Sequence, residues 1–334
     1  MKSLGILFVL ACSYFVSVIA GPTPSVYIND SNYEYYAQEG FKECYVTMLT
    51  SKAKSASKLT FEPQVTDSRT GVKYYVGGLM ADLTGSVAST IEIPSSFRST
   101  FSISDNVLKN AKNLKNLKVE STKGVYVYDN TFTGVNKNIN IYGKGVDQMV
   151  SDYAKKYLQN NYPEFIQDYS KLSEYDTRIS LYNIAKIVNK NFKFNINMTN
   201  GDNGAVAFLL KEGSTLGLSR AARYLAIASG FNQNDIIVAG DDIQHGFCLV
   251  RFDNKWYVYD VVKGSYNDRE PWSFFQTMDD YVNHTLNPYY GRLYKSDINT
   301  FVKFNRKYGY SGESYPEKEN LKQWLSNNRK GSLA

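Results

Sequence analysis

Short stretches that alternate apolar and polar residues recur through the first half of the chain. Leu59 to Phe61, Ile91 to Ile93, Leu117 to Val119 and Ile139 to Ile141 each read apolar, polar, apolar, as a short half-buried strand does. Ile93 and Val119 are 26 residues apart, and Val119 and Ile141 are 22 apart. Between the strands stand two versions of one turn, Asp105 to Leu108 and Asp129 to Phe132. Matching connectors follow them, Asn110 to Leu114 and Gly134 to Asn138. A unit this small cannot bury its apolar edge alone, so the period predicts stacked repeats over residues 59–145. Before them, Tyr33, Tyr35, Tyr36 and Phe41 crowd together, a pattern that fits an opening strand or a cap of the ladder.

Past Gly145 the period changes. Val146, Met149, Val150, Tyr153 and Tyr157 fall on one helical face, and Asn160 to Pro163 stops that helix. Ile179, Ile184, Ile187 and Val188 predict a second helix closed by Phe192, and a polar loop follows from Asn195 to Asn203. Gly213 to Gly217 then leads into a helix over Leu218 to Ser229, rich in good helix formers and ended at Gly230. Two strands come next, Gln244 to Phe252 and Lys255 to Val261, with Asp253 and Asn254 as the turn.

That hairpin carries candidate chemistry. A two-residue connection pairs Phe252 with Lys255, and counting back sets His245 opposite Val262. Asp260 then lies diagonally across on the same face. The spacing admits a functional imidazole–carboxylate pair, in which the acid fixes the ring tautomer and stabilises its charged form. It equally admits two unrelated surface groups.

The amino terminus reads as an export signal rather than an anchor. Lys2 precedes an apolar run from Leu4 to Ile19, Val18 and Ala20 are small residues at a cleavage site, and no basic stop follows. A secreted, extracellular mature chain with no membrane span is expected. The chain has 334 residues, 43% of them hydrophobic and 15% aromatic, which suits two packed domains and excludes a disordered tail. Its 38 basic and 32 acidic residues leave a charge of +6, too diffuse to point to nucleic acid. Removing Cys12 with the signal leaves Cys44 and Cys248, either one bridge or two buried thiols. Two histidines and these cysteines make no metal cluster, and no cofactor is expected. Sequons stand at Asn29, Asn197 and Asn283. In the last part of the chain, Trp272, Phe274 and Phe275 read as packing residues. Asn287 to Tyr294 reads as a turn and strand, and Glu317 to Asn328 as a polar helix.

The repeats, with "TIEIPSSF", "ISDNVLKNAKNLKNLKV" and "YDNTFTGVNKNINI", and with "GVKYYVGGL" as lead-in, resemble BspA-type leucine-rich repeats of extracellular microbial proteins. The resemblance implies a short β-rich solenoid, serving as a contact surface for protein or glycan or as a spacer. In the second half, "KEGSTLGLSRAARYLAIASG" followed by "HGFCLVRFDNKWYVYDV" resembles the transglutaminase-like family over roughly residues 175–265. The family pattern is a Gly-x-Cys-x-Gly helix start, a His-Ala-Trp strand and a Trp-Tyr-x-x-Asp strand. This resemblance implies a papain-like α+β core with a Cys–His–Asp triad acting on amides. Carried over by position, His245 is the base, Asp260 orients it, and Thr215 stands where the nucleophilic cysteine belongs.

The expected organisation is therefore a signal over 1–20, repeats over 21–145, and an α+β transglutaminase-like domain over 146–334 with its core at roughly 175–275. Thr215 changes the functional expectation. A hydroxyl lacks the thiol's accessible ionisation, and threonine nucleophiles rely on an N-terminal amine. At a helix start threonine ordinarily caps backbone N–H groups. Phe247 replaces the usual tryptophan. Cys248, three residues past His245, points to the other face of its strand, and Ser214 projects away from the site. The leading expectation is a secreted pseudoenzyme that binds peptide or cell-surface material. The alternatives are a weak amide hydrolase or transamidase using Thr215, His245 and Asp260, and a purely structural matrix component.

Overall fold

The alternating stretches of the first half resolve into stacked strands. The computed structural model describes residues 25–240, 245–252, 255–262, 275–276 and 332–333. The chain opens with β1 (Ser25–Asn29), β2 (Tyr33–Gln38) and β3 (Glu43–Leu49), followed by the short helix α1 (Ser51–Lys54). Then come β4 (Lys58–Thr60), β5 (Gln64–Thr66), β6 (Lys73–Leu79), β7 (Thr90–Ile93), β8 (Phe101–Ile103), β9 (Asn116–Val119), β10 (Val125–Val127) and β11 (Asn140–Tyr142).

These strands form two sheets. The first runs β1-β2-β3-β6-β8-β10, with β5 also paired to β6; the second runs β11-β9-β7-β4 and is parallel throughout. In the second sheet Leu59, Ile91, Leu117 and Ile141 stand in one register row. All four are at most 1% exposed, and each such side chain contributes about 1.5–3 kcal/mol by its burial. Phe101, Ile103, Val125 and Val127 of the first sheet are also buried in this core. The two related turns stack as well. The Asn130 amide donates to Asp105 Oδ1 at 2.9 Å and the Asn106 amide to the Asn130 carbonyl at 3.3 Å.

Residues 25–49, which the pattern left as a strand or cap, are an antiparallel meander. Tyr33, Tyr35 and Ala37 alternate inward along β2. The Tyr33 hydroxyl donates to the Thr60 carbonyl at 2.8 Å, tying the meander to the ladder.

The second half begins with α2 (Val146–Asn161), which buries the five residues expected of it. Next come α3 (Glu174–Asn191), β12 (Lys193–Phe194), α4 (Gly204–Leu210), β13 (Glu212–Gly213) and α5 (Thr215–Ala228), followed by β14 (Ile236–Gly240), β15 (Gly246–Phe252), β16 (Lys255–Tyr259) and β17 (Ser332–Leu333). The buried face of α3 is Leu181, Ile184, Ala185, Ile187 and Val188. Ile179 is only half-buried, because five residues to Ile184 is not a same-face helical step. Helix α4 and strand β14 lay outside the sequence-derived elements. Both are apolar on every side and so lack periodicity. The chain is thus a mixed α+β protein with several sheets and few helices.

A row of side-chain amides joins the two halves. Asn200 Nδ2 donates to the carbonyls of Asn138 and Ile139, each at 3.0 Å, and Asn203 Nδ2 donates to that of Ile141 at 2.9 Å. Lys137 meets Glu212 at 2.5 Å, and the Tyr224 hydroxyl donates to Asp147 at 3.0 Å. Cys44 on β3 and Cys248 on β15 are separate buried thiols, not a bridge. Of the sequons, Asn29 and Asn197 are exposed. Asn283, Trp272, Phe274 and the segments 287–294 and 317–328 lie outside the described residues. Phe275 is buried, stacked on Tyr259 with ring centroids 5.5 Å apart. Among the described residues no helix is long and apolar enough to cross a membrane.

Candidate functional site

The site is assembled where α5 starts beside the first residues of β15. Ser214, not Thr215, caps the helix. Its Oγ accepts from the Gly217 amide at 3.2 Å and donates to the Asp202 carboxylate. The loop carrying Asp202 packs hard on the helix. A Cβ on Gly217 would stand 1.9 Å from the Gly201 carbonyl oxygen, and Arg220 Nη1 donates to the Asp202 carbonyl at 2.6 Å. Thr215 therefore occupies the first helical position, one residue past the capping position expected for it. Its hydroxyl turns outward from the helix start instead, and Oγ1 accepts from the Gly246 amide at 2.9 Å.

That amide belongs to the peptide joining His245 to Gly246, so the hydroxyl lies against the backbone of the candidate base. His245 Nε2 and Asp260 Oδ2 are 2.7 Å apart. The acid is buried and the imidazole partly exposed, at 5% and 25% of their side-chain surfaces. The second Asp260 oxygen accepts from the Val262 amide at 3.2 Å. With an ionised Asp260, Nε2–H donates to the carboxylate, and in the neutral ring Nδ1 is then the basic nitrogen.

The register that achieves this follows the parity of the hairpin. Phe252 pairs with Lys255 and Cys248 with Tyr259. Asp260 is the next residue after β16, and His245 the one before β15. Cys248 is buried against α5, one helical turn beyond Thr215, with Sγ donating to the Ser219 carbonyl at 3.2 Å. Phe247 is fully buried, its ring centroid 6.3 Å from that of His245. Tyr259 anchors the hairpin to α3 by donating to the Leu181 carbonyl at 2.7 Å, and burial pushes its hydroxyl well above the usual pKa.

Asp202, Ser214 and Gly246 were not among the sequence-derived site residues. A readable signal existed for Ser214, since serine three residues before a helical amide is a preferred cap. Gly246 offered one too, as glycine marks a close backbone approach. Asp202 had none: it reaches the helix start only through a tertiary contact. Among the described residues no group of three or more His, Cys, Asp or Glu side chains could hold a metal ion.

This arrangement sets a hydroxyl at the start of a buried helix against the backbone of an imidazole that is paired with a buried carboxylate. No family model matches the chain, and no curated protein matches it. Among solved structures, the chain is similar to one titled "Crystal structure of a TGase", with 16% identity and a TM-score of 0.26. The match covers 36% of this chain and 33% of the other, so the chain spans about a third of that protein's length.

Proposed function

We propose that this chain is a secreted pseudoenzyme whose second half, from about residue 146, is a transglutaminase-like domain of papain type. Its cleft holds peptide or cell-surface material without cutting it. The preceding repeats, read as a short BspA-type leucine-rich solenoid, present that cleft and add contact surface. The observation that carries the reading is the Thr215 hydroxyl accepting from the Gly246 amide beside the His245–Asp260 pair. The residue at the nucleophile position is an alcohol, internal to the chain, with one lone pair already committed. An internal threonine has no terminal amine to take its proton, so the chemistry that attacks an amide carbonyl is missing while its supporting groups remain.

The test is an amide-hydrolysis and transamidation screen on the chain from Gly21, run beside immobilised-peptide binding. The expected result is binding without turnover. Specific turnover by the natural protein that His245→Ala abolishes overturns the reading.

One observation favours a second reading. The His245–Asp260 contact is short, as in a working general-base pair. On that reading Thr215 is a slow nucleophile, and Thr215→Ala eliminates turnover. Turnover unchanged in Thr215→Ala rules it out.

A further inference from the structure

The outer face of the first sheet carries six residues paired in sequence across its strands, with a register irregularity beside Tyr45. Tyr27 stands opposite Tyr36, Tyr36 opposite Tyr45, Tyr45 opposite Gly78, Gly78 opposite Ser102, and Ser102 opposite Tyr126. Their neighbours along the strands, among them Tyr35, Val46, Leu79, Ile103 and Val127, are buried, so the row faces outward. Tyr27 is 63% exposed, Tyr36, Tyr45, Ser102 and Tyr126 are half-buried, and Gly78 is buried. At five strand spacings the row is about 24 Å long.

Solvation does not require this composition. The second sheet shows what an ordinary solvated face looks like here: Lys58, Glu92 and Lys118 simply pair with one another. Beside the tyrosine row, Glu43 and Lys156 are charges of opposite sign, each engaged with a ring or its hydroxyl. The Tyr45 hydroxyl donates to Glu43 at 2.9 Å, and Lys156 Nζ lies 4.3 Å above the Tyr126 ring and 4.6 Å above the Tyr128 ring. What remains is a line of tyrosine rings and hydroxyls, with Tyr27 and Tyr36 edge-to-face at one end and Gly78 and Ser102 lowering the middle. The matching partner is neutral, with C–H faces that stack on aromatic rings and hydroxyls around its edge. A pyranose ring has both.

We infer that this row binds a neutral glycan chain laid across the strands. The surface belongs to a different sheet from Thr215, and it stands or falls independently of the pseudoenzyme reading.

The experiment titrates the chain from Gly21 with cellohexaose, laminarihexaose and chitohexaose, by calorimetry and tyrosine fluorescence, with heparin as an acidic comparison. Saturable binding of at least one hexasaccharide, insensitive to salt, is expected. Tyr36→Ser and Tyr126→Ser should each weaken it at least about fivefold, the scale of one lost ring contact. Tyr36→Phe keeps the ring and should retain most of the affinity, and Lys118→Ala on the other sheet should leave it unchanged. Circular dichroism checks that the variants fold. The inference is overturned by no hexasaccharide binding at millimolar concentration, by equal binding in the serine variants, or by binding confined to heparin and abolished by salt.

Discussion

Gly246 lies flush against Leu216: a Cβ on Gly246 would stand 2.3 Å from the Leu216 Cα. This close approach of β15 to α5 is what lets the Gly246 amide reach the Thr215 hydroxyl. Gly246→Ala must push strand and helix apart. It should cost about 1–3 kcal/mol of stability, the usual penalty for overpacking. It should also change the titration of His245, read from the imidazole proton signals; an unchanged titration would uncouple the glycine from the site.

Thr215→Cys tests whether only the nucleophile is missing. The variant should turn over amide substrates faster than the natural chain. The Asp202 carboxylate, held by Ser214 at the start of α5, opposes thiolate formation there. Adding Asp202→Asn should therefore speed iodoacetamide alkylation of the new cysteine by about two- to fivefold at neutral pH, the scale of one charge near a helix end. No difference between the two variants would show that Asp202 does not act on this position.

Asn203 serves both halves with one side chain. Its Oδ1 accepts from the Ala205 and Val206 amides, capping α4, while Nδ2 donates to Ile141. Asn203→Ala should lose about 2 kcal/mol or more, combining a lost cap with an abandoned buried carbonyl. Asn203→Asp keeps the cap but sets an acceptor against the Ile141 carbonyl. Denaturant midpoints of the two variants separate the cap from the joint, and equal midpoints with the natural chain would deny both roles.

Glu212 gives the joint a pH dependence. Hydrogen bonds from Lys137 and Asn195 hold its carboxyl below the usual value of 4.5. A depressed folded pKa means that the stabilisation is complete above 4.5 and is lost as pH falls through the folded value. Acid should therefore weaken the folded chain more than it weakens Glu212→Gln, with the gap closing at low pH. Parallel acid titrations in denaturant measure this, and parallel curves of equal slope would refute it.

Both cysteines should be silent in the native state. Cys44 and Cys248 are fully buried, and burial pushes the Cys44 thiol up to about 12. Mass spectrometry should find neither alkylated until denaturant is added. Rapid modification of either in buffer alone would contradict the packing described here.

The legible parts of the molecule are those whose pattern is local. The ladder strands showed their alternation, and α2 its helical stripe. The His245–Asp260 contact matches the parity of a two-residue connection, because strand geometry propagates register over several residues without further information. The illegible parts depend on neighbours. Helix α4 and residues Ile236 to Val238 of β14 are apolar runs that are buried nearly throughout, so they carry no period. The cap of α5 was assigned one residue late, because Ser214 and Thr215 are both capable caps, and only the packing of Gly246 on Leu216 turns Thr215 away from that role.

The Asn200 and Asn203 amides that donate to the backbone at the last ladder strand also bear on how the protein can be dissected. They occupy carbonyls along 138–141 that would otherwise form the open rim of a parallel stack. A fragment ending near Gly145 would uncover that rim and offer it to a second fragment. The two halves are thus poor modules to express separately: three hydrogen bonds donated by Asn200 and Asn203 close an edge that a fragment ending near Gly145 would leave open.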